Sequence, residues 1–277
     1  MPETSPHIPG SETAICGIVL HPAGHTRSPA MHNAAFRVLG IDAVYQAFDV
    51  APEQLADAIA GARLRGIRQL AVSLPHKEAV IQHLDEVDET ARAIGAVNTV
   101  TLCDDHLVGS NTDWIGAVRA LERETRLEGK RAVVLGAGGS ARAVVYGLLE
   151  RNAVVTVLNR TLSRAKNLAR DLGAYHAETL ERLDSIAYDV LVNTTSVGLR
   201  SDESPVPAAA LDPEAVVLDA IYDPERTRLL RDAKARGCRT ISGKWMLVYQ
   251  AVEQFERWTD REAPVDVMAA AFDAAGS

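Results

Sequence analysis

Short apolar runs alternate with longer amphipathic stretches along most of this chain. Such alternation predicts strands and helices in turn, and so a parallel sheet covered by helices. In the first part, residues 14–20, 43–50 and 69–74 read as strands. The first helix is expected with Ser28 as its N-cap, Pro29 in its first turn and Gly40 as its stop. Residues 52–62 predict the next helix, and a further helix is expected from about His76, after Pro75. Residues 88–94 suggest a short helix. Residues 97–102 and 106–110 flank Asp104-Asp105 and read as a hairpin.

From Arg131 the alternation is cleaner. Strands are predicted at 132–135, 154–158, 189–193 and 215–220, and helices at 140–151, 162–172 and 226–236. Gly173 and Gly237 stand where the last two helices should stop. Residues 244–258 and 264–274 read as two helices with no sheet of their own. The expected class is α/β in two units, 1–113 and 114–243, with 244–277 returning to the first.

A length of 277 residues suits two domains, and 47% hydrophobic residues suffice for two cores. A net charge of −8 makes nucleic acid and anionic membranes poor partners. No apolar run approaches the roughly 20 residues of a membrane span. The start, Met1-Pro2-Glu3-Thr4-Ser5-Pro6, lacks a basic n-region and an apolar h-region, so a cytoplasmic location is expected. The first ten residues are Pro-rich. Cys16, Cys103 and Cys238 show no paired spacing; Cys16 and Cys103 are expected as buried free thiols, and Cys238 as inert. His21, His25 and His32 share no helix face across Pro22 and Gly24, so no metal site is expected.

Chemistry first shows at Val133-Val134-Leu135-Gly136-Ala137-Gly138-Gly139-Ser140-Ala141. This G-x-G-x-x-A fingerprint follows a predicted strand and opens a predicted helix, the context a dinucleotide site needs. Gly136 permits the tight turn, Gly138 the approach of a pyrophosphate, and Ala141 close helix–sheet packing. Backbone N–H groups at the helix start meet the phosphates. The next strand runs into Asn159-Arg160-Thr161, with Arg164 one turn on. An NAD site usually places a carboxylate here for the ribose 2′-hydroxyl. A neutral amide with two guanidiniums favours a 2′-phosphate instead, and so NADP.

Four segments place polar groups at strand ends in the first unit: Thr26-Arg27-Ser28-Pro29, Ser73-Leu74-Pro75-His76-Lys77, Ala96-Val97-Asn98-Thr99 and Asn111-Thr112-Asp113. Strand carboxyl ends are where open α/β sheets bind ligands. Lys77 and Asp113 can form an ion pair in a cleft, where the ammonium polarises a carbonyl and exchanges its proton. Each residue alone is more often structural.

Taken together the segments resemble the shikimate dehydrogenase family. The matching pieces run in family order: His25 to His32, Val72 to Glu78, Gly95 to Thr99, Asn111 to Asp113, Gly136 to Ser140, Asn159 to Thr161, Asn193-Thr194-Thr195-Ser196-Val197-Gly198, and Met246-Leu247-Val248-Tyr249-Gln250-Ala251. They span nearly the whole chain. The resemblance implies an N-terminal α/β substrate-binding domain, completed by the C-terminal helices, beside a Rossmann-type NADP-binding domain, with a cleft between them. It implies reversible, NADP-dependent reduction of 3-dehydroshikimate to shikimate, a step of chorismate and aromatic amino acid biosynthesis. Lys77 and Asp113 would be the catalytic pair. Thr26 and Ser28 would bind the substrate carboxylate, and Ser73, Asn98, Asp113 and Gln250 its ring hydroxyls, with Tyr222 reaching in from the second domain. Gly136, Ala137, Gly138, Gly139, Ser140, Ala141, Asn159, Arg160, Thr161, Arg164, Ala220 and Gly243 would line the cofactor. The oligomeric state is not legible, and a homodimer is left open.

The match departs from the family at several places near the expected substrate. Thr26 stands where Ser is frequent, and Ala71-Val72-Ser73 where Asn-Val-Thr is usual. Ser110 and Trp114 flank Asn-Thr-Asp in place of Asp and Gly, and Lys244-Trp245 replaces a smaller pair. These departures leave open a paralogue acting on quinate or aminoshikimate. An idle NADP-binding regulator is a further alternative, against which both Lys77 and Asp113 are present.

Overall fold

The computed structural model describes residue 10, residues 12–24 and residues 26–276. The Pro-rich start and the expectations placed on His25 lie outside the described residues. The chain forms two six-stranded sheets, each with its own apolar core.

The first sheet holds β1 (Ala14–Leu20), β2 (Ala43–Asp49), β3 (Gln69–Val72), β4 (Glu86–Val87), β5 (Thr99–Cys103) and β6 (His106–Ser110), in the order β2-β1-β3-β5-β6-β4. The strands β1, β2 and β3 run parallel, and the β5–β6 hairpin continues the sheet antiparallel. Asp104 and Asp105 adopt positive φ at the hairpin tip, a conformation Asp tolerates better than most residues. The connecting helices are α1 (Ser28–Leu39), α2 (Leu55–Leu64) and α3 (Glu89–Ile94). One face packs Ile59, Val72, Val80 and Val100; the other packs Met31, Phe36, Tyr45 and Ala71.

Helix α4 (Asp113–Glu122), whose first residue closes the first unit, leads into the second. The second unit's sheet holds β7 (Arg131–Leu135), β8 (Val154–Leu158), β9 (His176–Glu178), β10 (Val190–Asn193), β11 (Val216–Asp219) and β12 (Arg239–Ile241), all parallel, in the order β12-β11-β10-β7-β8-β9. The near-continuous Val, Leu and Ala of β7, β8, β10 and β11 suit strands covered on both faces. Helices α5 (Gly139–Glu150), α6 (Leu162–Leu172) and α7 (Arg228–Arg236) cover them. The order reverses between β7 and β10, which opens a crevice at their carboxyl ends.

Two C-terminal helices, α8 (Gly243–Thr259) and α9 (Val265–Ala274), tie the units together. Val248, Ala251, Val252 and Phe255 of α8 join Met268 and Phe272 of α9 in the first core. Met246, flanked by Trp245 and Tyr249, packs instead into the second core with Ala117 and Leu121 of α4. A Cβ on Gly116 would lie 2.5 Å from the Met246 carbonyl oxygen. Only Gly lets α4 and α8 approach so closely.

Several expectations are corrected. No α-helix starts at His76; a 3₁₀ segment spans Ala79–His83. The Lys77 carbonyl accepts from the Val97 N–H at 2.8 Å, so it is not available to an α-helical turn. Arg27, not Ser28, holds the N-cap position of α1, and Ser28 is the first helical residue. Cys103 is exposed at the hairpin tip, because outward positions of β5 lose cover toward the turn. Cys16 and Cys238 are buried. The short strands β4, β9 and β12 were not expected from the sequence pattern.

His32 sits in the first core, stacked on Tyr45 with ring centroids 4.2 Å apart. Neither ring nitrogen has a hydrogen-bond partner among the described residues, and burial lowers its pKa to about 3. The folded chain therefore keeps His32 neutral where the unfolded chain, with a pKa near 6.5, takes up a proton. Stability from neutral His32 is whole above pH 6.5 and is lost as pH falls toward 3. Each pH unit inside that window costs about 1.4 kcal/mol. Urea unfolding at pH 7 and pH 4.5 should show His32→Leu losing about 2–3 kcal/mol less than the wild type on acidification. Equal losses would contradict this account of His32.

Candidate active site

The cleft between the sheets is lined by residues from both units. Thr26, Ser28, Ser73, Lys77, Asp113 and Gln250 come from the first sheet's side and its helices. Ser140, Ala220, Tyr222 and Gly243 face them from the second. Leu20, Leu74, Ile221, Met246 and Leu247 supply apolar wall.

At its centre the Lys77 ammonium donates to Asp113 Oδ2 at 2.6 Å, with side-chain exposures of 12% and 6%. Partial desolvation strengthens such a pair, but only a well-satisfied carboxylate withstands it. Asp113 is satisfied. Asn98 Nδ2 donates to Asp113 Oδ1 at 2.8 Å. The Asp113 N–H donates to Asn111 Oδ1, and Asn111 in turn donates to the Ala96 carbonyl. The Asn98 side-chain oxygen receives the Thr112 N–H and the Thr99 hydroxyl. Asn98 is 2% exposed and is not among the cleft-lining residues; it sits one layer behind, holding Asp113 and, at 3.3 Å, Gln250 Oε1. The first residue of α4 thus has its carboxylate fixed by the β3–β5–β6 end of the sheet.

Thr26 and Ser28 flank Arg27 at the start of α1. The Ser28 N–H donates to the Thr26 hydroxyl at 3.3 Å. The N-cap residue, Arg27, makes no side-chain cap bond, and the Ser28 hydroxyl is not spent on capping. The Tyr222 phenol bonds to Thr26 and is pushed up to about 12, by burial first. It therefore remains an O–H donor at neutral pH. Arg27 lies 4.3 Å from the centre of the Phe272 ring, which pins the segment to α9.

On the other side, Gly136 has φ +114, and a Cβ there would meet the Thr194 hydroxyl at 2.6 Å. A Cβ on Gly138 would meet nothing within 4 Å, so the surface over this turn is open. The first turn of α5 has no side-chain cap, so no side chain competes with an anion for its N–H groups. Ala137 is half-buried and Ala141 fully buried under the helix. The β8–α6 turn lies next door, since β7 pairs with β8 and the Gly136 N–H donates to the Leu158 carbonyl. There Asn159 donates to the Thr161 carbonyl, and Arg160 and Arg164 are exposed. Among the described residues neither arginine has a carboxylate partner. These features fit a dinucleotide with a further phosphate on its adenosine side.

Thr194, Thr195 and Ser196, which carry no assigned role in the sequence pattern, all line the cleft after β10. Thr194 and Thr195 use their hydroxyls locally, on the Leu135 carbonyl and Asn193 Oδ1. Asn193 also donates to buried Asp219, whose carboxyl burial pushes up to about 6. Asp219 accepts from Thr227 and the Ile221 N–H as well, which fixes the backbone leading to Tyr222. No group of three or more His, Cys, Asp or Glu fit to hold a metal occurs among the described residues.

Comparison with known proteins agrees with this geometry. Residues 18–100 match the shikimate dehydrogenase substrate binding domain, 118–201 the shikimate / quinate 5-dehydrogenase family, and 243–271 the shikimate 5'-dehydrogenase C-terminal domain. The chain is 50% identical over 251 residues to shikimate dehydrogenase (NADP(+)) of Thermococcus kodakarensis, covering 90% of this chain and 92% of that protein. It is similar to a shikimate dehydrogenase crystallised with NADP+, with TM-score 0.92, 39% identity and 98% coverage of both chains. It is also similar to the Thermus thermophilus enzyme in complex with NADP(H) and shikimate, with TM-score 0.89, 39% identity, and 95% and 99% coverage.

Arg160→Ala should weaken NADP+ binding about tenfold or more, the usual worth of a charge-assisted hydrogen bond, and leave NAD+ within about twofold. Titration of tryptophan fluorescence with each cofactor measures both. Equal weakening of both would contradict a role for Arg160 at a 2′-phosphate.

Proposed function

The chain belongs to the shikimate dehydrogenase family, and from that premise we propose that it catalyses the NADP-dependent reversible reduction of 3-dehydroshikimate to shikimate. The observation that carries the reading is the Lys77–Asp113 pair, desolvated and held in a cleft that both units line. In this reading residues 1–113 with 244–277 bind substrate, and residues 114–243 bind NADP.

The substrate is a small polyhydroxylated acid, and the cleft offers short hydroxyl, amide and carboxylate groups against an apolar wall. Thr26, Ser28 and the protonated Tyr222 phenol receive the carboxylate. Ser73, Gln250 and Asp113 take ring hydroxyls. Asn98 contributes by orienting Asp113 and Gln250 rather than from the cleft surface.

Lys77 performs the proton transfer. An ammonium has three N–H donors. Asp113 and Ser140 take two, at 2.6 and 3.3 Å, which leaves one for a carbonyl oxygen. In the reduction direction that donor polarises the C3 carbonyl and delivers a proton to the oxygen as it becomes alkoxide. In the oxidation direction the amine removes the hydroxyl proton. Asp113 keeps the ammonium aimed and compensates its charge in both directions. NADPH, when bound, supplies the hydride. The open turn at Gly138 and the uncapped start of α5 would hold its pyrophosphate, and Arg160 with Arg164 its 2′-phosphate.

The departures at Ala71, Ser110 and Trp114 do not change the groups that face the cleft. Ala71 packs in the first core, and Trp114 packs against Tyr146. Thr26 and Ser73, the departures that do line the cleft, keep the hydroxyl of the residues they replace, so shikimate, rather than quinate or aminoshikimate, is the substrate this reading expects.

NADPH formation from shikimate should fall about 10²–10⁴-fold in Lys77→Ala, the range for loss of a general acid–base. For the wild type, kcat/KM for shikimate should exceed those for quinate and aminoshikimate. Full activity in the variant would remove Lys77 from the mechanism, and preference for quinate would replace the substrate assignment.

A further inference from the structure

Lys77 does not contact the first unit alone. Its ammonium donates to the Ser140 hydroxyl at 3.3 Å, across the cleft and 63 residues on. The stem below it is in contact as well, since a Cβ on Gly139 would lie 3.1 Å from Lys77 Cβ. Gly139 and Ser140 are the first two residues of α5, within the turn fitted to a dinucleotide phosphate. We infer that Ser140 is a positioning residue that ties the catalytic ammonium to the cofactor turn. This rests on the reading of Lys77 as the proton donor.

The chemistry follows from what a serine hydroxyl can do. It offers two lone pairs and one proton. One lone pair takes the Lys77 N–H. Among the described residues the hydroxyl proton is given to no acceptor, so it is free for an anion held by the same helix start. Given to a cofactor phosphate, that proton would leave the Ser140 hydroxyl a better acceptor for the ammonium. The third N–H of Lys77 is then aimed by two acceptors, Asp113 and Ser140, one from each unit. An alanine here would keep the helix and the backbone N–H, and would remove the hydroxyl's bonds to Lys77 and to the anion. Asp113 alone would still neutralise Lys77, but a single acceptor leaves the ammonium free to pivot about that bond.

Three variants, Ser140→Ala, Ser140→Thr and Lys77→Ala, test this. Ser140→Ala should lower kcat for shikimate oxidation about three- to tenfold while KM for shikimate stays within about twofold, as expected when only the aim of a bound donor is lost. Ser140→Thr, which keeps the hydroxyl, should recover most of the loss. Binding gives a readout independent of turnover. By fluorescence titration without substrate, Ser140→Ala should weaken NADP+ about two- to fivefold in the wild-type background and less in Lys77→Ala, because Lys77 orients the hydroxyl. An unchanged kcat in Ser140→Ala, equal impairment by Ala and Thr, or strict additivity in the binding cycle would each overturn the inference. If Lys77→Ala turns over shikimate normally, the catalytic reading fails and this inference fails with it. Loss in Lys77→Ala beside a normal Ser140→Ala overturns the inference alone.

Discussion

The structure depends on keeping two opposite charges together where water is scarce. Lys77 and Asp113 lose most of their hydration, and a pair so placed destabilises the fold unless the buried carboxylate is well bonded. The chain answers this with amides rather than further charges. Asn98 and Asn111 are neutral, short and buried, and they fix both the Asp113 carboxylate and its backbone. Because Asn98 also holds Thr112 and Gln250, strand β5, the start of α4 and helix α8 converge on one network. Removing any of these amides would leave a buried acceptor unsatisfied, at about 1–3 kcal/mol each.

The same network explains why two sheets act as one site. Helix α8 belongs to both cores, with Phe255 and Val252 in the first and Met246 in the second. Its close crossing with α4 at Gly116 sets the distance between Asp113 and the far wall. Gly243 and Met246 can then face Lys77 across the cleft, and Ser140 can reach it from α5. The substrate-facing groups and the cofactor turn are brought into register by the packing of α8 against α4.

Much of this was legible in the sequence, and for physical reasons. The parallel sheet of the second unit announced itself through runs such as Val133-Val134-Leu135, and the glycine turn through its position between strand and helix. Lys77 and Asp113 are legible as an ion pair because both follow strands, although their catalytic role rests on the family resemblance. What stayed hidden depends on contacts distant in sequence. Strands β4, β9 and β12 have two or three residues, too few to show a period. The helix expected from His76 is replaced because Val97 takes the Lys77 carbonyl. Nor does the sequence show that Asn98 is bonded to Thr112, Asp113 and Gln250 at once, because those partners come from the start of α4 and from α8. The link from Ser140 to Lys77 joins two units and leaves no local signature.

The central claim is that a desolvated Lys77–Asp113 pair moves the proton while cofactor binding is supplied elsewhere. Asp113→Asn keeps the shape of the site and removes the charge. Its kcat for shikimate-dependent NADPH formation at saturating NADP+, set beside its NADP+ dissociation constant, separates the two contributions. The account predicts a fall in kcat of about 10²-fold or more, with the dissociation constant within about threefold of wild type. A kcat within about threefold of wild type would contradict it.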